Sequence, residues 1–262
     1  MLFRDKVAVI YGAGGAVGGA VARLFAREGA TVYLAGRAEA PLEAVAGDIG
    51  GEGGKAHVLP VDALNPEAVR AHADRIVKDA GRIDISFNCI GLGDAQGEPL
   101  VEMDLGKFTG AIAIAARTHF LTSTAAARHM MKQRSGVIMA LVAQANRRPY
   151  VNAGSFGVAC GVIEAICRQF AVELGPSGVR VVCLRSAGSP DAAGVREAMS
   201  IHARNAGITI DELERQIAAT SMLGRMPRLA EVANAAVLMA SDRASAITGA
   251  IANVTCGEIV DV

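Results

Sequence analysis

The fold class this chain predicts is α/β: a doubly wound sheet of about seven parallel strands with helices on both faces. Three observations carry the prediction. Short β-branched runs alternate with longer Ala-rich segments of helical period, the rhythm of repeated βα units. The strand candidates are apolar at successive positions, as strands covered on both faces must be. A glycine-rich run follows the first of them and leads directly into a helix.

The elements fall in order. Strands are expected at residues 7–11, 31–34, 56–59, 83–88, 137–141, 179–184 and 251–254. Helices are expected to start near Val17, Pro41, Asn65, Asp104, Asn152, Gly194 and Leu229, several of them opened by an Asp, Asn or Pro that suits a helix entry. Two are long, 104–132 and 152–174. The cluster at 50–54 is a turn between helix and strand. Residues 189–226 break the alternation with polar, Ala-rich sequence after a strand whose carboxyl end should face the crevice, so they are expected to form a substrate lid. No internal repeat or linker divides the chain, and residues 1–262 are expected to make a single domain.

Composition narrows the partners. The 26 basic and 26 acidic residues balance, so no overall field draws the protein to nucleic acid or an anionic membrane. A dinucleotide and a small metabolite fit better. The five cysteines, Cys89, Cys160, Cys167, Cys183 and Cys256, lack the paired spacing of zinc sites or a disulfide framework, which points to a reducing cytoplasm. No charged leader or long apolar stretch is seen at the start, so neither secretion nor membrane insertion is expected. The histidines show no metal-ligand spacing, and no metal site is expected.

After the first strand comes Tyr11, Gly12, Ala13, Gly14, Gly15, Ala16, Val17, Gly18, Gly19. Glycines let the backbone turn sharply and approach a pyrophosphate, while free N–H groups at the helix start point at the anion. The second strand ends in Gly36 and Arg37, where many dinucleotide binders place an acid for the ribose hydroxyls. A guanidinium there clamps a 2′-phosphate instead, favouring NADP(H), with NAD(H) left as the alternative.

The chain resembles the short-chain dehydrogenase/reductase family over nearly its whole length. Gly12, Ala16 and Gly18 fall on the family's TGxxxGxG positions, with Tyr11 for Thr and Ala16 for the middle Gly, two departures expected to crowd the loop. Asp62 looks like the family's adenine-contacting Asp, and Asn88, Cys89, Ile90, Gly91 resemble its NNAG motif. Ala187 and Gly188 resemble its PG pair, and Gly224, Arg225 and the run 231–254 its C-terminal pattern. The resemblance implies a Rossmann-type fold with a cofactor site formed by Gly12, Gly14, Gly15, Val17, Gly18, Arg37, Asp62, Asn88, Ile90, Gly91 and Gly188. Asn88 also has a purely structural use, as a buried amide that stabilises the central sheet.

The family reduces carbonyls with Tyr, Lys and Ser, helped by Asn, because the transfer needs a proton donor, a charge that lowers its pKa, and a group that steadies the oxyanion. Counting back from Gly175 and Pro176, the Tyr position holds Phe156 and the Lys position, four residues on, Cys160. The Ser position is Ala143 and the Asn position Ala115. All four are altered. No lysine follows Lys132, so no shifted Tyr–Lys pair exists. Tyr150 is a weak substitute acid. Ser155, Gln144, Asn146, Arg147 and Arg148 crowd the same loop, where the arginines are expected to face solvent or a partner subunit, and His119 is a remote partner for Cys160. The resemblance thus implies a homologue that binds NADP(H) and has little or no usual carbonyl reductase activity. The alternative is an active NAD(P)H-dependent oxidoreductase with a non-standard proton donor. It also implies a homo-oligomer, dimer or tetramer, paired through the two long helices.

Overall fold

The computed structural model describes residues 1–260. Seven parallel strands form one sheet: β1 (Val7–Tyr11), β2 (Thr31–Ala35), β3 (Lys55–Val58), β4 (Ile85–Asn88), β5 (Gly136–Ala143), β6 (Val179–Ser186) and β7 (Ile251–Val254), in the order β3-β2-β1-β4-β5-β6-β7. The connections run outward one way from β1 and the other way from β4. Their carboxyl ends therefore diverge at that boundary and open a crevice, the usual ligand position in such sheets.

The described residues form eight helices, α1 (Ala16–Arg27), α2 (Glu39–Gly51), α3 (Pro66–Ala80), α4 (Leu105–Gln133), α5 (Phe156–Leu174), α6 (Ala193–Ala206), α7 (Ile210–Ala219) and α8 (Leu229–Ala240), of which all but α6 and α7 cover the sheet faces. One core, with Val9, Ile138, Ala159 and Ile163, lies on the side of α3, α4 and α5; the other, with Ile10, Phe25, Leu34 and Ala236, lies under α1, α2 and α8. Asn65 caps α3 by accepting from the Glu67 and Ala68 N–H groups, and Asp104 caps α4 by accepting from Lys107 N–H, as residues of these types at helix entries should.

Three expectations need correction. Helix α5 begins at Phe156, four residues late, because Asn152 (φ +60°) and Gly154 (φ +58°) are left-handed and cannot sit in an α-helix. A Cβ at Gly154 would lie within contact of the Ala95 carbonyl oxygen, so the turn is also pressed against the loop after β4. Strands β5 and β6 run two residues past their expected ends and pair as far as Ala143 with Ser186. Residues 189–226 contain α6, which starts within one residue of the helix expected near Gly194, and a second helix, α7, that is absent from the expected elements.

Candidate functional site

The turn after β1 is held in shape by its glycines. Gly12 has φ +81°, and a Cβ on it would stand 2.7 Å from the Cys89 carbonyl oxygen; a Cβ on Gly14 would stand 2.8 Å from Pro41 Cβ. Gly18 packs so tightly on Gly12 that no side chain fits. Gly14 and Gly15 are exposed at the crevice, Val17 is half-buried, and the Gly15 N-cap of α1 has no capping side chain and no acid in the first turn. The positive end of α1 is therefore uncapped toward the crevice, a fit for phosphate. The expected crowding is absent: Tyr11 turns away into the core, its hydroxyl 3.5 Å from His72 Nδ1, and Ala16 is exposed.

The remaining loop residues divide. Arg37 is exposed at the end of β2, beside the start of α2. Asp62 is exposed and accepts from Leu64 N–H at 3.0 Å. Asn88 is buried; its amide donates to Thr122 Oγ1 at 3.1 Å and its oxygen accepts from Ile90 N–H at 3.0 Å. That amide ties β4 to α4 and shapes the turn leading to Gly91, so its structural use is real. Gly91 is exposed, with open space where a Cβ would be.

Beyond this turn a cavity of about 970 Å³ opens between the ends of β5 and β6, the loop after β4, and α6 with α7. Ala143, Phe156, Ala187 and Gly188 (φ +85°) line it, so the two residues expected at the Ser and Tyr positions present a methyl and a phenyl group to this space. Ala115 and Cys160 are buried, the former in α4 and the latter in α5. Burial first, and then the Asp94 and Glu164 charges, push the Cys160 thiol up to about 11 against the pull of the Ala143 backbone. His119 is held down to about 4 by burial, and its Nδ1 donates to its own helix at the Ala115 carbonyl, 3.0 Å away. A neutral thiol and a neutral imidazole make no thiolate–imidazolium couple.

Tyr150 lines the cavity, but its hydroxyl donates to Gln96 Oε1 at 3.1 Å, and burial followed by the Asp94 charge pushes the phenol up to about 12. An acid replacing the family Tyr needs the opposite shift. Ser155, at the mouth of α5, is buried with its hydroxyl unpartnered among the described residues, and it is not on the cavity wall. Arg147 is exposed, but Arg148 is no free surface cation: its Nη1 donates to Thr220 Oγ1 and to the buried Glu258 carboxylate, both at 2.6 Å.

Tyr150 apart, a polar network on the wall has no counterpart among the expected site residues. Gln96 Oε1 accepts from Tyr150 and, at 2.6 Å, from His202 Nε2 on α6, while the Gln96 amide donates to Asp94. The His202 ring meets Tyr150 edge-on at 5.1 Å, and Asn205 donates to the Gly97 carbonyl at 2.9 Å. These contacts fasten α6 to the loop after β4. Their only sequence signal is a set of polar residues in two irregular stretches, which no periodicity singles out.

A family model described as enoyl-(acyl carrier protein) reductase matches residues 12–258. Secoisolariciresinol dehydrogenase of Forsythia intermedia is 30% identical over 249 residues, covering 93% of this chain and 85% of the relative. Cis-4-hydroxycyclohexanecarboxylate dehydrogenase of Sinomonas cyclohexanicum is 30% identical over 255 residues, 97% of each chain. A 7α-hydroxysteroid dehydrogenase, solved with NADH and 7-oxo glycochenodeoxycholic acid, superposes with a TM-score of 0.85 at 25% identity, covering 99% of this chain and 96% of that one. With the seven-stranded parallel sheet and the glycine turn at its crevice, these matches identify the chain as a member of the short-chain dehydrogenase/reductase family.

Proposed function

We propose that this protein binds a nicotinamide dinucleotide in the crevice and has little or no ordinary carbonyl reductase activity. The observation that carries the second half is the pair Phe156 and Cys160: an apolar ring faces the cavity where a phenol is needed, and a thiol with a raised pKa stands where an ammonium is needed. The uncapped start of α1 with its bare Gly14 and Gly15 supports the first half. In this reading Gly12, Gly14, Gly15, Val17 and Gly18 cradle the phosphates, Arg37 takes a 2′-phosphate, Asp62 borders the adenine, and Asn88, Ile90, Gly91 and Gly188 shape the nicotinamide end. A bound reduced dinucleotide supplies a hydride; the chain holds it, keeps water out beneath α6 and α7, and sets the polarity of the cavity. Residues 189–226 act as the lid of a single-domain protein. The five free thiols support a reducing, cytoplasmic setting, and no helix among the described residues is long and apolar enough to cross a membrane.

Calorimetric titration with NADPH and with NADH tests this. The expected result is micromolar NADPH binding, with NADH weaker by roughly tenfold and the difference abolished in Arg37→Ala, since the guanidinium fork recognises only the extra phosphate. Equal affinities, or a preference untouched by the substitution, would remove Arg37 from the site.

A second reading, an active oxidoreductase with another proton route, is favoured by the size of the cavity and by the enoyl reductase description of the matched family model. Reduction of a conjugated alkene takes its proton at carbon, from water or a wall residue, and does not require the missing Tyr. Turnover of an enoyl thioester with NADPH that persists in Tyr150→Phe would support that route and exclude Tyr150 as the acid.

A further inference from the structure

A carbonyl-reducing site must offer hydrogen-bond donors to the substrate oxygen. In this cavity the phenol, imidazole and guanidinium donors, with the Gln96 and Asn205 amides, are engaged by other protein groups. Tyr150 Oη and His202 Nε2 both donate to Gln96, the Gln96 amide donates to Asp94, Asn205 donates to the Gly97 carbonyl, and Arg148 Nη1 is shared by Thr220 and Glu258. Two acceptors are less engaged. Gln144 Oε1 on the wall is buried without a partner among the described residues, and Asp94 receives an amide and no cation.

The charges agree with the hydrogen bonds. The wall carries three carboxylates, Asp94, Glu197 and Glu258, against one guanidinium, Arg148. The 2.6 Å Arg148–Glu258 pair cancels itself, which leaves Asp94 and Glu197 in excess, Glu197 forming no ion pair among the described residues. Burial lowers the pKa of the neighbouring His202, which disfavours a compensating imidazolium there. Asp94 acts on both Tyr150 and Cys160, so negative potential reaches the position where the family has its lysine. Phe156 and Tyr150 add aromatic surface, which also attracts cations. The rest of the wall, including Val151, Met199 and Ile217, is apolar.

We propose that this cavity takes a ligand with a cationic nitrogen on an apolar body, and that with a reduced nicotinamide dinucleotide bound it reduces C=N bonds in their protonated, iminium form. The chemistry matches what is missing. An iminium ion already carries the proton that a ketone must obtain from a tyrosine, and it needs an anion beside it where an ammonium would repel it. In the step, the iminium carbon accepts a hydride from the dihydropyridine ring, whose C–H bond breaks. The C=N π pair becomes the nitrogen lone pair, the ring is oxidised by two electrons to the pyridinium, and the neutral amine formed takes a proton from water. Asp94 is thus a binding and orienting anion for the reacting cation. The redox half rests on the dinucleotide reading above, whereas the preference for a cation does not.

The two halves are tested separately on the full chain. Calorimetry without nucleotide compares phenylpyrrolidine, as its ammonium, with the neutral phenylcyclopentanol. The ammonium should bind about tenfold more tightly, as expected for one extra charge-stabilised contact, and the preference should vanish in Asp94→Asn and survive in Asp94→Glu, both with thermal unfolding like the wild type. NADPH and NADH oxidation is then followed with phenylpyrroline and with phenylcyclopentanone, and only the imine should be reduced. Equal binding of amine and alcohol, or a preference indifferent to Asp94→Asn, would overturn the cation site. NADPH binding with no imine turnover, or with ketone turned over as fast, would overturn the reduction. Failure of both nucleotides to bind would instead overturn the dinucleotide reading, and the amine titration would still decide the cation site.

Discussion

At Gly12 two constraints act together: a φ of +81°, and a Cβ position 2.7 Å from the Cys89 carbonyl oxygen. Gly91, in the other motif of the same crevice, has neither a positive φ nor any atom near its Cβ position. Folding therefore requires glycine at the first site, whereas at Gly91 no neighbouring atom or backbone angle does. Gly12→Ala should cost about 2 kcal/mol or more in chemical denaturation, because strain and a backbone clash add. Gly91→Ala should stay within about 0.5 kcal/mol of wild type and yet weaken NADPH binding, since its methyl enters the crevice. A Gly91→Ala protein with unchanged affinity would remove that glycine from the cofactor site. Asn88 lies between these cases, its amide joining β4 to α4 while its oxygen sets the turn before Gly91.

Helices α4 and α5 present more apolar surface than the core consumes. Phe120 and Met131 on α4 and Val158 and Val172 on α5 are exposed, and the Phe120 ring lies 6.1 Å from that of Phe170 across the helix pair. We propose that a second copy covers this face, the isologous arrangement a two-fold dimer requires. Sedimentation velocity should find a dimer or tetramer that Phe120→Glu converts to monomer; a monomeric wild type would sink the proposal. Legibility in the sequence followed periodicity at this scale. The seven strands and the long helices could be read because runs such as 7–11 and 137–141 are apolar throughout and the helices repeat on one face. The start of α5 escapes hydropathy because a left-handed Asn152 leaves no trace in it, and α7 because an exposed, polar helix looks like loop, whereas α6 begins where a helix is expected, near Gly194. Fixed spacing from the end of α5 singles out Ala143 and Phe156, and both line the cavity. The Asp94–Gln96–His202 network was not, since it joins loop and helix 106 residues apart, from Gln96 to His202, with no pattern in either.

Across the whole molecule, the two histidines buried on the α3–α4 side of the sheet couple stability to pH. His72 donates Nε2–H to the Leu59 carbonyl at 3.0 Å and His119 donates Nδ1–H to that of Ala115, and burial holds both down to about 4, against 6.5 for a free imidazole. Both are therefore neutral in the folded protein through the range where an unfolded chain takes up protons. A depressed folded-state pKa means that the unfolded state binds more protons between about 6.5 and 4, so the stability these groups allow is full above 6.5 and falls as pH drops through that window. Below about 4 both states are protonated and the dependence flattens. Integrated from neutral pH to about pH 5, each histidine removes roughly 2 kcal/mol. Denaturant titrations at about pH 7.5 and pH 5 should show this loss, and the slope, whatever the absolute stability, should shrink by about half in His72→Gln and by most of its size when His119→Gln is added. A double variant that keeps the wild-type slope would place the proton uptake elsewhere and show that these imidazoles are not held neutral by the fold.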